Sequence, residues 1–184
     1  MTDHLMLPTV VVLIGTCVGA VTDVWKFRVY NSLTFPLLVT GLLYHGLVGG
    51  WPALTSSSLG VCFGFAILII PYLLGLMGAG DVKLLAGVGA WLGLPLTVMV
   101  FVISSLVAGA YAVVLILYRG RIGESLSTLK LILYRMASLG MHFGKEDLVE
   151  TLSEGTDRRL RVIPFGAMIP IGVIGALLLL ALIK

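Results

Sequence analysis

Charge is what this sequence lacks most. Of its 184 residues only 11% are charged and 59% are hydrophobic, and no charged residue occurs between Leu84 and Tyr118. Together with a mean hydropathy of +1.10, this excludes a soluble globular domain. The apolar runs approach twenty residues, the length of a membrane-spanning helix rather than of a barrel strand. We predict an all-α, polytopic membrane protein whose residues 1–184 form a single domain in a lipid bilayer, with no nucleic acid partner.

Cysteine and histidine are also scarce. Cys17 and Cys62 each stand alone in an apolar run, so no paired C-x-x-C zinc site can be built from them. The sequence has no H-E-x-x-H motif, which argues against a metalloprotease, and no G-x-S-x-G nucleophile motif. We therefore expect no metal and no cofactor.

The apolar runs predict six membrane-spanning helices. They cover residues 5–22, 33–50, 58–76, a short fourth helix from 84, about 96–118, and 163–183. The 35 residues from Leu84 to Tyr118 would extend about 52 Å as one helix, against a hydrocarbon core of about 30 Å. Because a single span is shorter than this, we expect the chain to break at Gly93-Leu94-Pro95.

Smaller features refine this picture of the helices. Gly15 and Gly19 form a G-x-x-x-G pair suited to close helix contact. Trp51-Pro52 is expected to turn the chain between the second and third helices. Pro170 and the other Pro and Gly residues near the start of the last helix are expected to loosen its first half.

The distribution of Lys and Arg predicts the orientation. Residues 119–161 form the only long polar segment, with eight Lys/Arg and six Asp/Glu around an apolar middle, which is typical of an interfacial amphipathic helix. If the loops after helices one, three and five face the cytoplasm, that side holds eleven of the twelve Lys/Arg, and only Lys184 lies opposite. Positive charge is retained inside. We predict that both termini lie outside and that 119–161 is cytoplasmic.

Asp23 and Asp81 are the only acidic residues in or bordering the predicted spans. Asp23 closes the first span and Asp81 begins the fourth, so both are predicted at the cytoplasmic side. Ionisable groups at such depth are costly and point to function. Two carboxyls held together would share one proton, so that one could act as general base on a water while the protonated partner polarises a carbonyl.

Other interpretations of the two acids stay open at this point. Asp81 could simply cap the fourth helix, and Asp23 could mark the end of a span. A pair of buried acids also suits a proton-coupled transporter. A third possibility is a non-catalytic assembly factor of a pilus or secretion machine.

Three stretches carry a family resemblance. Gly78-Ala79-Gly80-Asp81-Val82-Lys83-Leu84-Leu85-Ala86 resembles the GxGD block of type IV prepilin peptidases, which are membrane aspartic endopeptidases. Asp23 followed by Arg28 and Asn31 is similar to the first-aspartate block of that family, although Val29-Tyr30 stands where Ile-Pro is usual. Arg161-Val162-Ile163-Pro164-Phe165-Gly166 resembles the start of its last span. The resemblance implies two catalytic residues, Asp23 and Asp81, and a supporting or substrate-binding set, Gly78, Gly80, Lys83, Arg28 and Asn31.

The resemblance also implies a reaction. Such an enzyme cleaves a short basic leader, after a Gly, from a prepilin whose hydrophobic helix is still in the membrane, at the cytoplasmic face of the bacterial inner membrane. Larger members carry paired C-x-x-C motifs for zinc together with an N-methyltransferase activity, and this sequence has no such motif. The resemblance therefore points to the small, peptidase-only branch found with tight-adherence (Flp-type) pili.

Overall fold

The computed structural model describes residues 3–26, 30–73, 77–119 and 165–182, and these ranges are helical apart from short connections. The helices are α1 (Asp3–Lys26), α2 (Asn31–Val48), α3 (Gly50–Leu73), α4 (Ala79–Arg119) and α5 (Phe165–Leu182). The predicted all-α class is confirmed for this part of the chain. The amphipathic segment predicted after residue 119 lies outside the described residues.

Four stretches of the described helices are long and apolar enough to cross a membrane. They are Met6–Asp23, Gly50–Leu73, Ala79–Tyr118 and Phe165–Leu182. The side chains that point away from the bundle are large and apolar; Leu47, Leu106 and Leu182 are 85%, 68% and 83% exposed. Apolar surface on this scale would be unstable in water and is stable in lipid. The chain is a polytopic membrane protein.

The predicted break at Gly93 is confirmed. Gly93 has φ 72° and ψ 176°, which is outside the helical region and within α4. A positive φ of this kind is accessible to glycine at little cost. Pro95 follows in the first turn of the second limb, where the missing N–H has no helical partner to lose. Gly93 therefore divides α4 into a first limb (79–92) and a second limb (94–119).

The chain reverses its direction at Gly93. Gly166 of α5 contacts Asp81, and Gly172, six positions later, contacts Ser104 of the second limb. In a straight α4 the 23 positions from Asp81 to Ser104 would span about 34 Å, whereas six positions of α5 span only about 9 Å. Both contacts can exist together only if the second limb folds back towards the end of the bundle where the first limb begins.

The first limb is the centre of the described bundle. It is apolar nearly all round, and its Leu84, Leu85 and Val88 are 0% exposed, as expected of a helix surrounded by others. α4 contacts each of the other described helices. Two hydrogen bonds fix its far end: Trp91 Nε1 donates to the Leu37 carbonyl at 2.8 Å, and Ser57 Oγ donates to the Ala90 carbonyl at 2.5 Å.

Small residues let the backbones of α3 and α4 approach closely. A Cβ atom on Gly60 would lie 2.5 Å from the Gly89 carbonyl oxygen, and one on Gly64 would lie 2.8 Å from Ala86 Cα. Lipid provides no hydrophobic drive for helix association, so close packing of this kind must hold the pair together. The predicted close contact at Gly15 and Gly19 is also confirmed: both are buried, Gly15 against Leu37 and Gly19 against Leu84.

Two local predictions were wrong. The turn between α2 and α3 is at Gly49-Gly50, where Gly50 has φ 64°, and Trp51-Pro52 belongs to the first turn of α3. Proline is tolerated there because a first-turn N–H has no helical acceptor. The first half of the last helix does not depart from helical geometry, since α5 is helical throughout Phe165–Leu182. Ile169 and Val173, on either side of Pro170, are fully buried.

The contact between α3 and α4 predicts a stability effect. The Gly60→Ala variant should lower the free energy of unfolding by about 1–3 kcal/mol, because the methyl group meets backbone atoms that cannot move aside. Thermal unfolding in detergent would measure it. Gly109→Ala is the matched control, since nothing lies within 4 Å of a Cβ there. Equal stabilities of the two variants would contradict the proposed role of this contact.

Candidate active site

Three helix ends meet around two buried carboxyls. Asp23 lies in the last turn of α1, Asp81 in the first turn of α4 and Gly166 in the first turn of α5. Asp23 is 7% exposed and Asp81 is 4% exposed. A Cβ atom built on Gly166 would lie 2.8 Å from Asp81 Oδ1 and 2.9 Å from Asp23 Oδ2. The two oxygens therefore cannot be farther apart than the sum of these two distances, so both carboxyls can contact one bound molecule.

The two oxygens of Asp81 have different surroundings. Oδ2 accepts a hydrogen bond from the Gly78 N–H at 3.3 Å, and the Asp81 N–H donates to the Gly78 carbonyl at 3.2 Å. Asp81 is thus the third residue of α4 and binds back to the residue before the helix, as in half of a capping box. Oδ1 faces Gly166 and Asp23 instead. Helix capping accounts for one oxygen of Asp81 and leaves the other available for chemistry.

The carboxyl of Asp23 is less well satisfied. Its Oδ2 is buried and has no hydrogen-bond partner among the described residues. The backbone amides of Gly166 and Ala167, at the N-terminal end of α5, are the main-chain groups beside the carboxyl. A buried polar atom without a partner costs stability and needs a reason. A group that must exchange a proton with a reactant supplies such a reason.

The predicted supporting residues take different positions. Gly78 contacts the site through its N–H, and Gly80 is the second residue of α4. Lys83 Nζ donates to Asn31 Oδ1 at 2.9 Å. This exposed hydrogen bond connects the start of α4 to the start of α2. Arg28 lies outside the described residues. A substrate-binding role for any of them stays a prediction.

Sequence reasoning missed Gly166 as a residue of the site. The only available signal was its place in the Pro164-Phe165-Gly166 stretch, which indicated the start of the last span. Gly166 is 85 positions after Asp81 and 143 after Asp23. Chain order alone gives no reason to place it between the two acids.

The other polar groups of the described helices do not form a metal centre. Among the residues that the structure describes, no three or more His, Cys, Asp or Glu side chains are grouped so as to hold a metal ion. Cys17 and Cys62 are exposed on separate helices as free thiols. That the protein needs no cofactor stays a prediction.

Comparison with known proteins places this chain in a family. A model of the type IV leader peptidase family matches residues 10–113, which is more than half of the chain and includes both Asp23 and Asp81. The chain belongs to the type IV leader peptidase family. This agrees with the resemblance in the sequence. Gly166 lies outside the part that the family model matches.

Curated relatives in the type IV leader peptidase family are named prepilin leader peptidase/N-methyltransferase. The Aeromonas salmonicida protein is 40% identical over 104 residues, 53% of this chain and 35% of the relative. The Neisseria gonorrhoeae protein is 37% identical over 98 residues, 50% of this chain and 34% of the relative. The Vibrio cholerae protein is 32% identical over 98 residues, 48% of this chain and 37% of the relative. The matches cover about a third of the relatives' length. No solved structure matches the chain.

The Asp23 Oδ2 atom, which has no hydrogen-bond partner among the described residues, predicts an unusual stability effect. Asp23→Asn should raise the free energy of unfolding by about 1 kcal/mol, because an amide can donate to the nearby Asp81 Oδ1 and no second acid is then buried beside it. Thermal unfolding in detergent checks this. Ser57→Ala is the contrast: it removes a buried polar group that is satisfied, and should lower stability by about 1 kcal/mol. An Asp23→Asn variant less stable than the native protein would contradict this account of the site.

Proposed function

We propose that this protein is a membrane aspartic endopeptidase that removes the short basic leader from prepilins of the Flp type, with Asp23 and Asp81 activating a water molecule. The observation that carries the proposal is the position of both carboxyls against Gly166, buried and close enough to act on one molecule. Membership in the type IV leader peptidase family supports the same reaction.

The chemistry follows from one proton held by two carboxyls. The ionised carboxyl takes a proton from water, whose oxygen bonds to the carbonyl carbon of the scissile peptide. The protonated partner donates to the carbonyl oxygen, so the tetrahedral intermediate carries no unbalanced charge. The carboxyl that took the proton from water then donates it to the leaving nitrogen as the C–N bond breaks, and the other carboxyl recovers a proton from a hydroxyl group of the intermediate as the carbonyl re-forms. The new carboxyl and amine leave, and the pair again holds one proton.

Features of the described site suit this role. Burial of both acids excludes bulk water, which strengthens hydrogen bonds made to the reacting groups. The Gly78 N–H fixes the orientation of the Asp81 carboxyl before substrate binds. Asp23 Oδ2, which has no hydrogen-bond partner within the described ranges, is free to contact a reactant.

The proposed topology has six crossings, with α2 as one span and the two limbs of α4 as two. The end of α1 and the starts of α4 and α5 meet at the carboxyls, and the Lys83–Asn31 hydrogen bond brings the start of α2 to the same end. The charge distribution favours the cytoplasm for this end. A basic leader would then reach the site from the cytoplasm, and Lys83, Asn31 and Arg28 are proposed to contact the substrate or to position it. The protein is proposed to be a single-domain enzyme of the peptidase-only branch, in the inner membrane, with both termini outside.

The first test is the loss of cleavage in carboxamide variants. Asp23→Asn and Asp81→Asn should each lower kcat by about 10²–10⁴-fold or more, because each removes a group that transfers a proton. The assay uses the full chain in detergent with a prepilin substrate. Asp3→Asn, an acid-to-amide change in the first turn of α1, is the matched control and should cleave normally.

Two outcomes would remove the protease proposal. One is cleavage at the native rate in both Asp23→Asn and Asp81→Asn. The other is no cleavage by the native protein together with proton flux into vesicles that both variants abolish, which would support a transporter.

The shared proton predicts how activity depends on pH. At a pH low enough to protonate both carboxyls no base remains, and at a pH high enough to ionise both no proton donor remains. A plot of kcat/KM from acid to alkaline pH should therefore be bell-shaped. Asp3→Asn should give the same curve, and a flat profile would contradict the mechanism.

A further inference from the structure

We propose that Gly166 is a positioning residue that sets the separation of the Asp23 and Asp81 carboxyls, and that the enzyme requires the absence of a side chain at this point. The inference rests on the proposed function for its effect on catalysis. Its geometric part concerns the carboxyl pair itself and can be tested without a substrate.

The surroundings of Gly166 carry the inference. The three atoms nearest to a Cβ built there all belong to the two carboxyls: Asp81 Oδ1 at 2.8 Å, Asp23 Oδ2 at 2.9 Å and Asp23 Cγ at 3.3 Å. The first two distances are under 3.0 Å, and real Cβ atoms essentially never come that close to a neighbouring atom. The carboxyls therefore lie in the space that any other residue would fill.

The backbone at Gly166 gives no competing reason for glycine. The described glycines with positive φ are Gly50 and Gly93, so Gly166 has a conformation that any residue can adopt. It is the second residue of α5, where alanine would be a better helix former than glycine. Local structure alone would thus favour another residue here.

Other tightly packed glycines of the described helices have a different kind of neighbour. Gly60 and Gly64 face the backbone of α4, and Gly172 faces Ser104 Oγ and the Val100 carbonyl oxygen. Among the described glycines, Gly166 is the one at which a Cβ would come within 3.0 Å of a carboxyl oxygen. These other glycines serve helix packing, whereas Gly166 adjoins the acids.

A methyl group at Gly166 should therefore move the acids rather than the helices. Its nearest neighbours are the ends of two side chains, of which Asp81 is held by one hydrogen bond from Gly78, and both can turn. At Gly60 and Gly64 the neighbours are backbone atoms, which cannot. Such a rotation separates or turns the carboxyls and spoils their action on one water. A misplacement of about 1 Å in a catalytic group can cost about 10²-fold in rate.

The experiment compares Gly166→Ala with Gly175→Ala. The control is the same change on the same helix, where the methyl would meet Ile103 Cγ2 at 3.0 Å and no acid is among the nearest atoms. We expect Gly166→Ala to unfold near the native temperature and to lose about 10²-fold in kcat with little change in KM. Gly175→Ala should keep the native kcat and KM.

A spectroscopic readout separates this inference from the proposed function. The infrared band of the protonated carboxyl of the pair, identified by its change in Asp23→Asn, should shift in frequency in Gly166→Ala and not in Gly175→Ala. A shifted band in a protein that does not cleave prepilin at all would keep the positioning role and remove the peptidase function. An unshifted band together with native kcat in Gly166→Ala would overturn the positioning role.

A multiple variant covers the case in which Gly166→Ala fails to fold. The methyl group would meet both carboxyls, so both must be removed to make room for it. Gly166→Ala combined with Asp23→Ala and Asp81→Ala should then be as stable as the double variant that carries only the two Asp→Ala changes. An equal loss of stability from Gly166→Ala in the native protein and in that double variant would mean that the methyl meets something other than the acids, and would also overturn the inference.

Discussion

Two carboxyls buried against a single glycine are the constraint on which the rest of this structure depends. Asp23 and Asp81 are 58 positions apart in the chain, on helix ends that by themselves have no reason to meet. Burying two acids side by side is costly, because the charged forms lose water and repel each other. The bundle must hold α1, α4 and α5 together firmly enough to offset that cost. The arrangement is what proton transfer between a water, a carbonyl and a carboxyl pair would require.

The packing of the first limb of α4 helps to hold these three helices together. Its fully buried Leu84, Leu85 and Val88 lie within two turns after Asp81. Backbone-to-backbone contact with α3 at Gly60 and Gly64 holds the limb along its length. The reversal at Gly93 then returns the second limb to pack against α5 at Gly172. α5 is thereby held by both limbs, and its first turn stays against the acids. The glycines of the bundle thus connect helix packing to the geometry of the site.

The oxygens of the two carboxyls differ in their hydrogen bonding. Asp81 Oδ2 accepts a hydrogen bond from the Gly78 N–H, which orients the side chain. Asp81 Oδ1 and Asp23 Oδ2 both lie beside Gly166. Asp23 Oδ2 is left without a partner among the described residues. Satisfying every buried atom would make a more stable bundle and would leave no carboxyl free to react.

The sequence by itself determined the class of the protein, the positions of most helices and the two acids of interest. Hydropathy and helix length are local properties, so the runs around Asp23 and Asp81 and the break at Gly93 could be recognised without a fold. Local patterns were misleading only where proline was ambiguous, as at Pro52, which can either end a turn or begin a helix. The tertiary structure alone decided that the carboxyls converge, that α4 folds back along α5, and that Gly166 lies between the acids. These depend on which helix faces pack together across long separations in the chain, and no local property of the sequence records that choice.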